Sequence, residues 1–282
     1  MHLKIKTPAK INLTLDVLGV RADGYHEIAS IMQAISLYDY LNIEIEPAEN
    51  FIVELSCSNS QIPCDERNLV YKALKLLYRE LDLPTYKFNI YIEKNIPTEA
   101  GLGGGSANAA GIIWAVNRLL KLNLSEERIN DLCSKLGSDV NVCYWGGTCC
   151  ATSRGEVVKR VSCPKYPLTV IKPIGFGITA KDGYLMFDAL KLNSVSDSTE
   201  RMLKALERNE DISGLINNDL EKAPLAKFEI LQELKANYPK SMMTGSGSAF
   251  ILLGDNFKNT LSKERFQVIP NLEFVDTGIE EV

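Results

Sequence analysis

The run GLGGGS at 101–106 restricts what this chain can fold into more than any other segment. It follows KFNIYIEK, whose alternation predicts a strand, and precedes ANAAGIIWAVNRLLKL, which predicts a helix. Glycines let backbone N–H groups approach an oxyanion with no Cβ in the way, and they permit positive φ. The helix that follows aims its free N–H groups and the positive end of its dipole at the same point. Together these form an anion cradle the size of a triphosphate tail, and Ser106 could donate its hydroxyl or ligate Mg2+. No Lys-Ser or Lys-Thr follows the last glycine, so this is not a P-loop. Ser106 stands where the dinucleotide fingerprint needs its third glycine. A flexible turn is the other reading from pattern alone, but four glycines are costly to order, which favours a reason for them.

Around this loop, INLTLDVL alternates, with Ile11, Leu13, Leu15 and Val17 on one face. YLNIEIE and FIVEL also predict strands. A helix is expected over about 66–81, with Leu69, Ala73, Leu76 and Leu77 on one side and Pro84 closing it. Ser125 suits an N-cap and Gly137 a helix end. The second half predicts helices over about 199–208 and 225–237, the latter opened by Pro224. A second small-residue turn, Thr244–Ser248, precedes a buried strand. Strands first and helices mixed in predict an α+β chain of two domains, 1–160 and 161–282.

The formal net charge of -5 and the lack of a basic, aromatic-rich stripe argue against nucleic acid as a partner. The N-terminus has no uninterrupted apolar stretch, and AAGIIWAV is too short to span a bilayer, so neither export nor a membrane is expected. Seven cysteines without C-x-x-C spacing and only two histidines make a zinc site unexpected. Free thiols in a reducing cytoplasm are the simplest reading, with Cys149 and Cys150 alternating across a strand.

Three segments carry a resemblance: PAKINL at 8–13, P-x-x-A-G-L-G-G-G-S at 97–106, and TGSGSAF at 244–250. Together they resemble the GHMP kinases, the family of galactokinase, homoserine kinase and mevalonate kinase. RADGYH, NLVYKA and NNDLE narrow this to members acting on an alcohol linked to a cytidine nucleotide, in isoprenoid precursor synthesis. The resemblance implies an N-terminal domain like the second domain of ribosomal protein S5, a ferredoxin-like C-terminal domain, and a site between them. It also implies ATP and Mg2+, a small nucleotide-linked substrate, and a monomer or weak homodimer. The competing readings are another GHMP kinase, acting on mevalonate, homoserine or a sugar, and a GHMP-fold protein that binds without chemistry.

Position alone makes Asp139 a turn or cap residue, whereas the resemblance makes it the general base. Lys10, otherwise a surface lysine, becomes its cationic partner. Tyr25 would stack on cytosine, His26 would read its edge, and Tyr184 would supply the second ring. Asn12 could face the cleft and bond substrate. Pro97, Ala100, Gly101, Leu102, Gly103, Gly104, Gly105, Ser106 and Asn108 would surround the nucleotide, with Asn68 and Lys94 near adenine. Thr244, Gly245, Ser246, Gly247 and Ser248 form the third motif, supporting the phosphate loop. Four positions depart from the pattern: Ala107, Asn141, Ser153 and Ala180. The last removes a hydroxyl expected near the substrate.

Overall fold

The structure is a computed structural model and describes residues 1–191, 196–255 and 257–282. Two long strands organise the first half, β1 (His2–Val20) and β2 (His26–Pro47), paired antiparallel across the RADGYH turn. There Arg21 N–H donates to the Tyr25 carbonyl at 2.7 Å, and Gly24 takes φ +83°. Then come β3 (Ile52–Cys57), α1 (Leu69–Glu80), β4 (Tyr86–Glu93), α2 (Gly104–Leu119), α3 (Glu126–Leu136), α4 (Val140–Trp145), β5 (Thr148–Ser153) and β6 (Val157–Val161). β2 serves two neighbours along its length: 28–33 pair with β5 and 40–47 with β4.

Why α2 is built of alanine and glycine is visible in its packing. A Cβ on Gly111 would lie 2.8 Å from Thr7 Cγ2, so the helix rests directly on β1. Its face joins α1, α3 and the inner side of β1, β2 and β4 in one core.

The second half begins with β7 (Pro167–Pro173), α5 (Ala180–Ala189), α6 (Ser198–Glu207) and the short β8 (Asn217–Asn218). It continues with α7 (Lys222–Lys227), α8 (Glu229–Asn237), β9 (Met242–Met243), β10 (Phe250–Leu253), β11 (Phe266–Glu273) and β12 (Glu280–Glu281). Four strands form a second sheet in the order β11-β7-β10-β9, all antiparallel. β8 and β12 instead pair with β1, so the second half returns to the first sheet.

Several sequence expectations need correction. β1 is buried on both sides: Lys10, Asn12, Thr14 and Asp16 are as enclosed as the apolar residues between them, because the second half covers the face expected to be polar. The helix expected from 66 starts at Leu69, with Asn68 as its cap. Gly104 and Gly105 belong to α2 rather than to a free loop. The helix expected over 225–237 is two, broken at Phe228, and Pro224 is the third residue of α7. Ser125 does cap α3, accepting from Arg128 N–H.

Candidate active site

The glycine loop is held by the protein's own backbone before any ligand is considered. Gly103 caps α2 at φ +68°, and the first intrahelical bond runs from Ala107 N–H to the Gly103 carbonyl at 2.9 Å. Helix geometry therefore leaves the N–H groups of Gly104, Gly105 and Ser106 without intrahelical partners, which is the anion-binding arrangement. On one side the loop meets β1, where Lys10 N–H donates to the Leu102 carbonyl at 3.0 Å. On the other it meets the 244–248 turn, where Ser248 N–H donates to the Glu99 carbonyl at 3.1 Å and Ala249 N–H to that of Ala100 at 3.2 Å. A Cβ on Gly101 would sit 1.9 Å from the Thr244 carbonyl oxygen, and one on Gly103 2.8 Å from Lys10 Cγ. Gly104 would meet Lys94 Nζ at 2.7 Å. Gly101 and Gly103, both at positive φ, are thus demanded by neighbouring protein atoms, not only by space for phosphate.

Lys10 and Asp139 meet. Lys10 Nζ lies 3.2 Å from Asp139 Oδ2, with the lysine side chain 4% exposed and the aspartate's 30%. Asp139 occupies the N-cap position of α4 but makes no side-chain capping bond; its carboxylate turns to Lys10 instead. Lys10 Nζ also donates to Asn12 Oδ1 at 2.9 Å, and Asn12 Nδ2 donates to Ser30 Oγ at 2.8 Å. Asn12 is fully buried with both amide ends engaged, and it holds Lys10 at the wall of the cleft. Its N–H donates to Thr244 Oγ1 at 2.9 Å, tying this network to the third motif. Beside the pair, burial pushes the Cys143 thiol well above its ordinary range, so it stays neutral. Burial, reinforced by Asp139, does the same to the Tyr184 phenol.

The far end of the cleft is aromatic. Tyr25 is 54% exposed, with the Arg154 guanidinium 5.2 Å from its ring centroid. His26 stacks on Tyr184 at 4.6 Å between centroids and 20° between planes, and its Nε2 lies 2.7 Å from Asp188 Oδ1. One face of Tyr184 is thereby covered by His26.

Asn68 and Lys94 reach the cleft wall with their polar ends already engaged. Asn68 Oδ1 accepts from Val70 N–H at 2.9 Å, and its Nδ2 donates to the Pro63 carbonyl at 2.8 Å. Lys94 Nζ bonds Asp39 Oδ2 at 2.6 Å and the Ile96 carbonyl at 2.7 Å. Burial lowers its pKa against the pull of Asp39. Asn68 thus caps α1, as its place before the helix allows, whereas Lys94 is a buried, ion-paired lysine rather than a solvated strand-end one. Asn108 accepts from Thr7 at 3.1 Å. Of the third motif only Gly245 and Ser246 face the cleft; Thr244, Gly247 and Ser248 hold its frame. The remaining expected residues, from Lys10 and the 100–106 loop to Tyr25, His26 and Tyr184, line one cavity of 1020 Å3. That is at the upper end of the usual range for a ligand site.

Sequence reasoning missed Arg154, Lys181 and Asp188, which line the same cavity. Asp188 lies four residues beyond Tyr184 on α5, a spacing that would have found it had the helix been expected. The departures have local accounts. Ser153 takes φ +65° where glycine was expected, and its hydroxyl accepts from Arg21 Nη1 at 2.7 Å. Asn141 Nδ2 ties α4 to α3 through Ser134 Oγ at 2.8 Å. Thr179 caps α5, so its hydroxyl serves the helix.

The GHMP kinases N terminal domain profile matches residues 68–147. A 4-diphosphocytidyl-2-C-methyl-D-erythritol kinase of Carboxydothermus hydrogenoformans is 38% identical over 96% of this chain and 95% of its own. This chain belongs to the GHMP kinase family. It is a phosphotransferase that acts on an alcohol group of a small molecule, and the family uses ATP. The crystal structure of a 4-(cytidine 5'-diphospho)-2C-methyl-D-erythritol kinase superposes on this kinase with TM-score 0.75 and 28% identity, covering 98% of it and all of that chain. A homoserine kinase from Cytophaga hutchinsonii, at 16% identity, shares the fold with TM-score 0.73 over 100% of this chain and 97% of its own. The α+β architecture of this chain is therefore the GHMP kinase fold.

Proposed function

We propose that this chain transfers the γ-phosphoryl group of ATP to the 2-hydroxyl of 4-diphosphocytidyl-2-C-methyl-D-erythritol, a step toward isoprenoid precursors. The observation that carries the reading is the Lys10–Asp139 pair at 3.2 Å, in one cleft with a helix-start phosphate cradle and an aromatic–histidine cluster. The cradle holds the triphosphate through N–H groups at 104–106. The aromatic cluster takes the cytosine, with Tyr25 stacking and His26 on the polar edge. The substrate alcohol then lies between them, against Asp139. Asp139 takes the hydroxyl proton as the oxygen attacks phosphorus. Lys10, held by Asn12, offsets charge on the phosphoryl oxygens in a site where little water screens it.

Among the described residues no three His, Cys, Asp or Glu side chains could hold a metal ion. A Mg2+ ion would sit with the nucleotide's phosphates, with the Ser106 hydroxyl as the protein group to hold it, and would supply charge neutralisation there. All seven cysteines are free thiols and no helix of the described residues is long and apolar enough to cross a membrane. Free thiols suit a reducing cytoplasm, where this reading places the enzyme; a monomer or weak homodimer is what the family resemblance implies. The domains are 1–160, carrying the cradle and Lys10, and 161–282, carrying Tyr184 and the third motif.

ADP release tests the reading. With ATP, Mg2+ and 4-diphosphocytidyl-2-C-methyl-D-erythritol, purified protein is expected to turn over; with mevalonate, homoserine or galactose it is expected to stay at background. Turnover on a control alcohol and not on the cytidine compound would overthrow the substrate assignment.

A further inference from the structure

Three residues on one face of α5 hold His26. Tyr184 stacks on the imidazole, Phe187 meets it edge-on with centroids 6.5 Å apart and planes at 84°, and Asp188 Oδ1 lies 2.7 Å from Nε2. They stand at i, i+3 and i+4, the spacing that places helical side chains together. The His26 side chain is only 9% exposed, so the ring is clamped on a face and along an edge. Asp188 itself lines the cleft, and nothing in the Lys10–Asp139 chemistry uses it.

A neutral imidazole has one donor nitrogen and one acceptor, and its hydrogen bonds choose which. A carboxylate only accepts. Asp188 therefore draws the ring proton to Nε2 and leaves Nδ1 as an acceptor. Cytosine presents a 4-amino donor where uracil presents a carbonyl acceptor. An Nδ1 acceptor pairs with the first and repels the second.

We infer that Asp188 is a positioning residue that sets base specificity by fixing the tautomer of His26, so that the site accepts a cytosine-linked and rejects a uracil-linked substrate. This rests on the cytidine reading above, and the test separates the two. The substitution Asp188→Asn keeps size and contact, but its amide can accept or donate, so it no longer dictates the tautomer. The chain has only two histidines, so His2→Gln leaves one imidazole in a 15N–1H spectrum recorded at pH 8.

The His2→Gln protein is expected to show the Nε2–H form alone, and Asp188→Asn added to it a mixture. In turnover, Asp188→Asn is expected to lower the cytidine-over-uridine ratio of kcat/KM by about tenfold or more, one hydrogen bond's discrimination, with KM for ATP unchanged. A brace with no electronic role would leave that ratio untouched. An Nδ1–H ring in the presence of Asp188, or an unchanged ratio in Asp188→Asn, overturns the inference. The spectrum needs no substrate, so it tests Asp188 even where the turnover assay rejects the cytidine compound.

Discussion

Lys10 is a cation enclosed to 3% exposure, a position that costs desolvation unless a counter-charge and further acceptors face it. Asp139 and Asn12 do so. The pair was separable in sequence only as two isolated polar residues, and nothing in spacing could bring them together. A turn aspartate would cap α4, and this one does not. General base catalysis typically contributes about 10²–10⁴-fold, so Asp139→Asn is expected to lower kcat by that order while leaving both KM values nearly unchanged. Lys10→Met keeps the aliphatic stem and removes the charge, and should lower kcat as well. Because the two act as one unit, the double variant is expected to be scarcely worse than the worse single one. Steady-state kinetics on the four proteins, each checked for folding by circular dichroism, reads this directly. A folded Asp139→Asn protein with near-wild-type kcat would return Asp139 to the role of a turn residue.

The glycine loop and the 244–248 turn behave as one device, locked by backbone contacts that leave no room for side chains. Gly101→Ala would force a Cβ into the Thr244 carbonyl at φ +71°. Overpacking typically costs about 1–3 kcal/mol, so Tm is expected to fall by about 2–12 °C, at roughly 2–4 °C per kcal/mol for a chain of this size. Gly175→Ala has a similar φ of +69° with nothing within 4 Å, and should cost only its backbone strain. Equal Tm losses in the two, by calorimetry, would show that packing against Thr244 is not what the loop requires.

The helical layer carries a pH prediction. Glu80, at the end of α1, is held near pKa 2 by Lys135, with Arg79 and Arg128 adding to it. Its folded pKa is depressed, so its contribution is present above pH 4.5 and is lost as pH falls toward about 2. Glu80→Gln is therefore expected to flatten the acid side of the Tm–pH curve in that window. An unchanged acid limb would mean that these exposed pairs contribute nothing.

Elements with strong periodicity, such as β4, α2 and α3, were legible. α5 was not, because Gly183 interrupts it and glycine inside a helix costs about 1 kcal/mol relative to alanine. The structure supplies the reason: a Cβ there would lie 2.8 Å from Ser246 Cβ. Missing that helix concealed Phe187 and Asp188 as well. Asn68 and Lys94 line the cleft as the resemblance implies, but the local bonds that engage their polar ends, to Val70, Pro63, Asp39 and Ile96, join segments that spacing could not bring together.

At the scale of the whole molecule, two sheets meet over one core that includes Ile11, Leu13, Val170 and Ile251. The last strand returns to pair with the first, Lys6 facing Glu280, a closure no local signal announces. The cleft draws its phosphate end and its base end from segments far apart in sequence, and so reads as one site only when folded. Its two ends make the central claim specific: a nucleoside-linked alcohol, and not a bare one, is the acceptor. A single mixture decides this. ATP and Mg2+ are supplied with equal concentrations of 4-diphosphocytidyl-2-C-methyl-D-erythritol, mevalonate, homoserine and galactose, and the products are followed by 31P NMR. One new phosphomonoester, on the 2-oxygen of the cytidine compound, is the predicted result. A phosphomonoester on any of the other three alcohols, with the cytidine compound unchanged, would contradict it.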